Sequence, residues 1–241
     1  MGNMERSTSE LAARFAHVRA QIVAATERCG RPPDEVKLIA ISKTHPSSVV
    51  KELIELGATD LGENRVQEAE SKINDVGRER ARWHLVGHLQ ANKARRAVDL
   101  FDVSHSLDSI DLARRLDRLC HEKQRDSLSV LIQVDLGHEE TKSGIEEAAL
   151  VQLAETIQSL PRLQLIGLMT LPPFFENPEH SRPFFRRLRE LRDELADRGV
   201  FGDRKGELSM GMTHDFAVAI EEGATMVRIG TAIFGERAAR V

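Results

Sequence analysis

The sequence predicts an α/β protein built as a single (β/α)8 TIM-type barrel with one extra helix at its amino terminus. Eight apolar segments of strand length occur along the 241 residues, and segments with helical spacing separate them. The length also fits, because barrels of this class run to about 250 residues as one domain. The barrel domain is predicted over residues 8–241, after a flexible tail at residues 1–7.

The leading helix is predicted over residues 8–28, where Leu11, Phe15, Val18 and Ile22 share one helical face. Eight strands are then predicted, at residues 36–43, 59–63, 82–87, 100–105, 129–136, 163–170, 207–211 and 226–230. Helical segments lie between them, and several end in glycine, as helix ends prefer. The irregular stretch TLPPFFENPEHSRP follows the sixth strand, which indicates a loop on the functional face.

Composition excludes several classes of protein. With 41% hydrophobic and 30% charged residues the chain is typical of soluble globular proteins, and no apolar run approaches the ~20 residues that span a bilayer. A formal net charge of −4 gives no electrostatic reason to expect nucleic-acid binding. Cys29 and Cys120 have no metal or redox spacing, and the first residues do not resemble a signal peptide. A cytoplasmic monomer or weak dimer is expected.

Lys43 lies where the first predicted strand ends, within the stretch AISKTHP. Pro46, followed by two serines, is typical of a helix entry. The lysine therefore sits at the carboxyl end of a strand, where α/β folds place their chemistry. A solvated loop lysine is the alternative that this stretch alone leaves open.

The last two predicted strands both end in small residues: Ser209 and Gly211 in ELSMGMTHDF, Gly230 and Thr231 in MVRIGTAIFGER. Loops at this position of a barrel often bind phosphate, because small residues let N–H groups and a hydroxyl approach the anion. Tight turn packing is the alternative. Arg228 lies inside the eighth apolar run, so its guanidinium must point into the barrel or find a salt-bridge partner.

An amine, a phosphate site and an inward cation together suit pyridoxal 5′-phosphate (PLP). Lys43 would form the Schiff base, the two loops would take the phosphate, and Arg228 would face the pyridine nitrogen. A permanent cation there keeps that nitrogen unprotonated and weakens the cofactor as an electron sink. Carbanion chemistry is therefore poorly supported.

The motifs that run along the chain also carry a family resemblance. They are LIAISKTHP, LGENRVQE, WHLVGHLQANK, VLIQVDLGHEETKSGI, GLMTLPP, LSMGM and MVRIGTAIFGER, and they cover the chain from about residue 10 to residue 237. In this order they resemble the signatures of the YggS/PROSC family, the pyridoxal phosphate homeostasis proteins. The resemblance implies a barrel of the alanine racemase fold type (fold type III) that binds PLP and has no established catalytic activity.

The resemblance also implies roles for individual residues. Lys43 would be the cofactor lysine and Arg228 the partner of the pyridine nitrogen. Ser209, Gly230 and Thr231 would bind the phosphate. The predicted cofactor-binding residues are Lys43, Asn64, His84, Ser209, Met210, Gly211, Arg228, Gly230 and Thr231. His45 and Arg65 stand where many members have a second lysine and a tyrosine, which puts those two roles in doubt.

Two further features have open interpretations. His84 and His88 could both line the barrel, but no third ligand accompanies them, so no metal site is predicted. Lys142 follows the fifth strand and could contact the cofactor, an anion or only solvent.

The function predicted from these observations is a non-catalytic carrier and buffer of PLP that supplies apo-enzymes. An amino-acid racemase of the same fold is the alternative. It would need a tyrosine as second base, and the sequence has none. It would also need a second domain, and we expect no room for one after the eighth predicted strand. A class I aldolase is less favoured, because its mechanism assigns no clear role to Arg228.

Overall fold

The computed structural model describes residues 2–137 and 143–235, with side chains from residue 10 onward. It confirms the predicted architecture: eight parallel strands pair in sequential order, and β1 closes the barrel against β8. The strands are β1 (Lys37–Ile41), β2 (Asp60–Glu63), β3 (Arg82–Leu85), β4 (Val103–Leu107), β5 (Leu128–Gln133), β6 (Leu163–Met169), β7 (Glu207–Ser209) and β8 (Met226–Ile229).

Helices surround the barrel. They are α1 (Gly2–Arg28), α2 (Ser47–Glu55), α3 (Val66–Val76), α4 (Ala94–Leu100), α5 (Ile110–Glu122), α6 (Glu147–Gln158), α7 (Arg182–Asp197), α8 (Phe216–Glu221) and α9 (Thr231–Phe234). Helix α5 shows why these segments fold as they do. The Ser109 side chain accepts the Leu112 N–H as an N-cap, and the buried Leu112, Leu116 and Leu119 recur at helical spacing toward the sheet.

Apolar side chains form two cores. The larger one lies between the sheet and the helices, and it includes the fully buried Trp83, Phe101 and Phe185. The smaller one fills the inside of the barrel with Ile39, Ile41, Val86, Val103, Leu131, Ile166, Met169 and Met226. Each of these side chains contributes roughly 1.5 to 3 kcal/mol when it is fully buried. The barrel interior is therefore packed, and polar groups inside it need partners.

Two boundaries differ from the prediction. The fourth strand was expected at residues 100–105, but Leu100 ends α4 and the strand begins at Val103. Leu100 and Phe101 form part of the outer core, so their apolar character reflects helix packing rather than a strand. Helix α1 begins at Gly2 instead of residue 8, within the stretch predicted as a tail, and it packs against α8 and α9.

Within the described part of the chain, no helix is both long enough and apolar enough to cross a lipid bilayer. Cys29 and Cys120 are free thiols, the first partly buried and the second buried.

Candidate functional site

The predicted site residues come together because parallel strands end at one rim of the barrel. Ala40 of β1 pairs with Ile229 of β8, so Lys43 and Thr231 leave neighbouring strands at the same rim. Strand β7 joins them, because the Arg228 N–H donates to the Gly211 carbonyl at 3.0 Å. The rim therefore unites the ends of β1, β7 and β8.

Lys43 lies in a constrained turn at this rim. Its side chain is exposed, whereas the preceding Ser42 is fully buried. Thr44 has a φ of 67°, a left-handed conformation that costs a β-branched residue on the order of 1–2 kcal/mol. The Thr44 N–H donates to the Glu68 carboxylate, and the His45 ring stacks on Phe234 with centroids 4.7 Å apart. Contacts from α3 and α9 thus hold the lysine's backbone in place.

A buried ion pair behind the turn adds to this support. The Lys72 ammonium donates to the Ser42 carbonyl at 2.7 Å and to Glu63 Oε1, and the Ser42 hydroxyl donates to the same oxygen at 2.6 Å. Lys72 is 5% exposed and Glu63 is fully buried. Burial raises the pKa of the Glu63 carboxyl, and Lys72 opposes that shift without cancelling it. This pair fixes the peptide next to Lys43, and the sequence analysis did not find it.

Arg228 points into the barrel, as predicted. Its Nη2 donates to the Thr170 carbonyl at 2.9 Å and its Nη1 to the Ser209 hydroxyl at 2.6 Å. Burial lowers the pKa of Arg228 to about 10, so the side chain stays cationic at neutral pH. Among the described residues its hydrogen-bond acceptors are neutral, and no carboxylate forms an ion pair with it. A buried cation without an ion-pair partner is costly, which indicates a ligand-binding role.

Ser209, one of the predicted phosphate ligands, directs its hydroxyl into the barrel. Its hydroxyl is fully buried, and it contacts Arg228 Nη1 at 2.6 Å and His105 Nδ1 at 2.9 Å. These contacts use the hydroxyl proton and one lone pair inside the barrel. The reason is strand alternation, which turns Ser209 inward at the end of β7 and sends Met210 into the outer core. The loops beyond β7 and β8 contain residues that are more exposed than Ser209.

Thr213 is the hydroxyl that the sequence analysis missed. It is half-buried in the loop after β7, and its Oγ1 lies 3.5 Å from the Ala232 N–H at the start of α9. Gly230 directly precedes α9 beside β1, and a methyl group added to it would lie 3.4 Å from the Ile41 carbonyl oxygen, an ordinary van der Waals distance. Thr213 follows Met212 in the same motif as Ser209, so the extra hydroxyl was visible in the sequence. Its distance from the strand end concealed its position.

His84 lies in the barrel interior rather than at the rim. It is fully buried, with Nε2 at 2.9 Å from Asp60 Oδ1 and Nδ1 at 2.9 Å from His105 Nε2. His105 was not singled out, because a histidine within an apolar strand segment gives no local signal of its partners. Together these side chains connect Asp60 with Ser209 and Arg228.

Asn64 and Arg65 follow β2 at the rim. Asn64 is half-buried, and its carbonyl oxygen lies so close to Gly87 that a methyl group there would approach it to 2.2 Å. Only glycine fits that approach between the ends of β2 and β3. Arg65 is exposed at the start of α3. Asn64 is therefore near enough to the rim to remain a candidate ligand.

Two other residues had open interpretations in the sequence. Lys142 lies outside the described residues. His88 is about half exposed, and its Nδ1 is 3.3 Å from the Asp108 carboxylate. Among the described residues no group of three or more histidine, cysteine, aspartate or glutamate side chains could hold a metal ion.

The fold and the rim are those of the alanine racemase class of barrel. The model of the family described as "Alanine racemase, N-terminal domain" matches residues 14–238. An alanine racemase structure from Clostridium difficile superposes with a TM-score of 0.74 at 14% identity, and it covers 96% of this chain and 58% of its own. At that identity the likeness shows the fold alone.

Relatives at higher identity narrow the assignment. The pyridoxal phosphate homeostasis protein of Aquifex aeolicus is 46% identical over 93% of this chain and 97% of its own length. The protein of that name from Escherichia coli is 41% identical over 95% and 97%. The structure of PipY from Synechococcus elongatus with PLP bound matches at 38% identity and a TM-score of 0.79, covering 94% of this chain and all of its own. The chain belongs to the family of pyridoxal phosphate homeostasis proteins.

Proposed function

We propose that this protein binds PLP and acts as a cytoplasmic carrier and buffer of it, supplying apo-enzymes without turning over amino acids. The observation that carries the proposal is the buried Arg228 cation, which has only neutral acceptors among the described residues and lies beside the strand that ends in Lys43. The PLP-bound structure of the relative PipY supports it. The free thiols of Cys29 and Cys120 fit a reducing compartment.

The residues at the rim fit PLP in three parts. Lys43 supplies an amine at the end of β1, and the loops that hold Thr213 and Thr231 supply hydroxyl and backbone donors for a phosphate. Arg228 has five N–H donors, of which Thr170 and Ser209 occupy two, so donors remain for the pyridine nitrogen. When bound, PLP supplies a reactive aldehyde and an electron-withdrawing ring.

The same residues argue against amino-acid turnover. Arg228 remains charged at neutral pH and donates hydrogen bonds, so the pyridine nitrogen facing it is an acceptor without a proton of its own. An unprotonated ring stabilises a carbanion poorly. A racemase of this fold also uses a tyrosine as its second base, and this sequence contains no tyrosine. The oligomeric state, predicted as a monomer or weak dimer, stays a prediction.

The carrier function predicts transfer without turnover. PLP-loaded protein mixed with an apo-transaminase should activate that enzyme even when an aldehyde trap removes free PLP. The same preparation should show no racemisation or transamination of common amino acids above the rate of free PLP, because loss of one base from a positioned pair costs about 10²- to 10⁴-fold in rate. Racemisation that disappears in Lys43→Ala would favour the racemase instead.

The phosphate site predicts a second result. Thr213→Val and Thr231→Val should each weaken PLP binding about tenfold or more, because a hydroxyl bound to a charged group contributes roughly 1.5 to 3 kcal/mol. Titration of the apo-protein with PLP measures the change in Kd. Thr156→Val makes the same chemical change on α6, away from the rim, and should leave Kd unaltered. Unchanged affinity in both rim variants would place the phosphate elsewhere.

A further inference from the structure

Four polar side chains continue from Arg228 through the interior of the barrel. The Ser209 hydroxyl lies 2.6 Å from Arg228 Nη1 and 2.9 Å from His105 Nδ1. His105 Nε2 lies 2.9 Å from His84 Nδ1, and His84 Nε2 lies 2.9 Å from Asp60 Oδ1. Asp60 is the first residue of β2, so the series runs from the rim to the amino-terminal end of the barrel. We call Asp60, His84, His105 and Ser209 the interior chain.

The proton positions along the interior chain follow from its ends. An ionised carboxylate only accepts, so Asp60 takes a hydrogen bond from His84 Nε2–H. The other nitrogen of a neutral His84 is then an acceptor, and His105 must donate to it from Nε2–H. His105 Nδ1 accepts in turn from the Ser209 hydroxyl, whose oxygen accepts from Arg228. Every bond therefore points the same way, from the guanidinium to the carboxylate.

The electrostatics agree with neutral histidines between two charged ends. Burial lowers the pKa of His84, although Asp60 opposes the shift, and burial holds the pKa of His105 well below its usual value. Lys37, Arg82 and Arg228 add positive charge that also disfavours protonation of His105. Burial opposes the ionisation of Asp60, but hydrogen bonds from His84 and Thr59 outweigh it and lower the pKa of its carboxyl.

We propose that the interior chain positions Arg228 at the pyridine nitrogen of PLP and connects it to a carboxylate at the opposite end of the barrel. The inference rests on the proposed function and deepens it. Asp60, His84, His105 and Ser209 are positioning residues, since Arg228 alone would contact the cofactor. The interior chain fixes the rotamer of Arg228 from one side, and the Thr170 carbonyl fixes it from the other.

A purely structural role explains this arrangement less well. The apolar core inside the barrel consists of aliphatic and methionine side chains, and well-packed apolar residues generally match or exceed buried polar groups in stability. A fully satisfied polar network instead fixes one unique geometry. Here that geometry ends on Arg228, the group proposed to face the pyridine nitrogen. Asp60, at the other end, borders a cavity of about 490 Å³ between α1 and the starts of β1 and β2.

The first test needs neither a substitution nor the cofactor. Nitrogen-15 NMR of the full chain, with the histidine signals assigned, should show His84 and His105 both neutral and both carrying their proton on Nε2. Each should take up a second proton only below the usual pH range of a histidine, because burial lowers both pKa values. His88 is about half exposed and serves as the internal reference of an accessible histidine. A proton on Nδ1 of either interior histidine, or titration of either near pH 6.5, would overturn the inference.

The second test separates a role at the ring from a role at the phosphate. Ser209→Ala should weaken binding of PLP about 10- to 100-fold and shift the absorption maximum of the bound cofactor. It should weaken binding of pyridoxal, which lacks the phosphate, by the same factor. Ser104→Ala is the matched control. It removes a buried hydroxyl that has no hydrogen-bond partner among the described residues. Its affinities should stay within about twofold of wild type.

The outcomes distinguish a failure of the inference about the interior chain from a failure of the proposed function. If Ser209→Ala weakens PLP but not pyridoxal, Ser209 acts on the phosphate and the inference fails. If Ser209→Ala binds both ligands as Ser104→Ala does, the inference also fails while the proposed function stands. A wild-type protein that binds no PLP would overturn the proposed function, and with it the role of the interior chain at the cofactor.

Discussion

Lys43→Ala should abolish covalent attachment of PLP and the visible absorbance that goes with it. Borohydride reduction of the wild-type holo protein should leave PLP fixed to the peptide that contains Lys43, and mass spectrometry should find that peptide unlabelled in the variant. The expected loss is complete, because the linkage needs an amine at this position. Weaker binding should persist, since the phosphate loops and Arg228 are unchanged.

Lys43→Arg is the matched control for this experiment. It keeps a positive charge at the rim but presents a guanidinium, which is not a nucleophile at neutral pH. If the charge alone held the cofactor, Lys43→Arg would retain the colour. Labelling of a lysine other than Lys43 in the wild-type protein would show that the proximity of Lys43 to the cofactor, inferred from the strand ends, is wrong.

The architecture of the barrel could be predicted from the sequence because each buried parallel strand is a short apolar run. Seven of the eight strands lie within the segments predicted for them, apart from one residue at the start of β5, since such runs differ clearly from the amphipathic helices between them. The fourth was misplaced because the apolar Leu100 and Phe101 at the end of α4 precede the strand with only Asp102 between them. A run of apolar letters does not show whether they pack from a helix or from a sheet.

The rim was predictable for the related reason that strand ends are local features. Lys43, Gly230 and Arg228 could all be placed because Arg228 lies within a predicted strand and the other two lie where a strand ends. The hydrogen bond between His105 and Ser209 could not, because it joins residues 104 positions apart and depends on which neighbours face inward. The same is true of Lys72, whose burial depends on α3 packing against the end of β1. Long-range polar contacts were therefore the part of the site that the sequence concealed.

Lys72 offers the largest expected effect on stability. Lys72→Met removes the ammonium that neutralises Glu63 and anchors the Ser42 carbonyl. Removal of one partner from a buried ion pair costs about 3 to 5 kcal/mol, because the remaining charge is left in a low-dielectric interior. Glu63 is a severe case, since its Oε2 already has no hydrogen-bond partner among the described residues. Urea unfolding of the full chain measures the free energy of unfolding.

The pH dependence of that cost tests its origin. The pKa of Glu63 is raised in the folded state, so the native protein binds the proton more tightly than the unfolded chain. Such a group destabilises the fold increasingly as the pH rises above the unfolded value, and loss of Lys72 raises the folded pKa further. The penalty of Lys72→Met should therefore be larger at pH 8 than at pH 5.

A double-mutant cycle completes the argument. Glu63→Gln alone should cost less than Lys72→Met, because Lys72 keeps the Ser42 carbonyl and a carboxylate oxygen of Glu68 at 3.7 Å. Glu63→Gln combined with Lys72→Met should recover much of the stability that Lys72→Met loses, since no uncompensated charge remains. The double variant should still bind PLP more weakly than wild type, because the Ser42 peptide has lost its anchor beside Lys43. A double variant as unstable as Lys72→Met would show that packing of the lysine stem, rather than its charge, supports the turn.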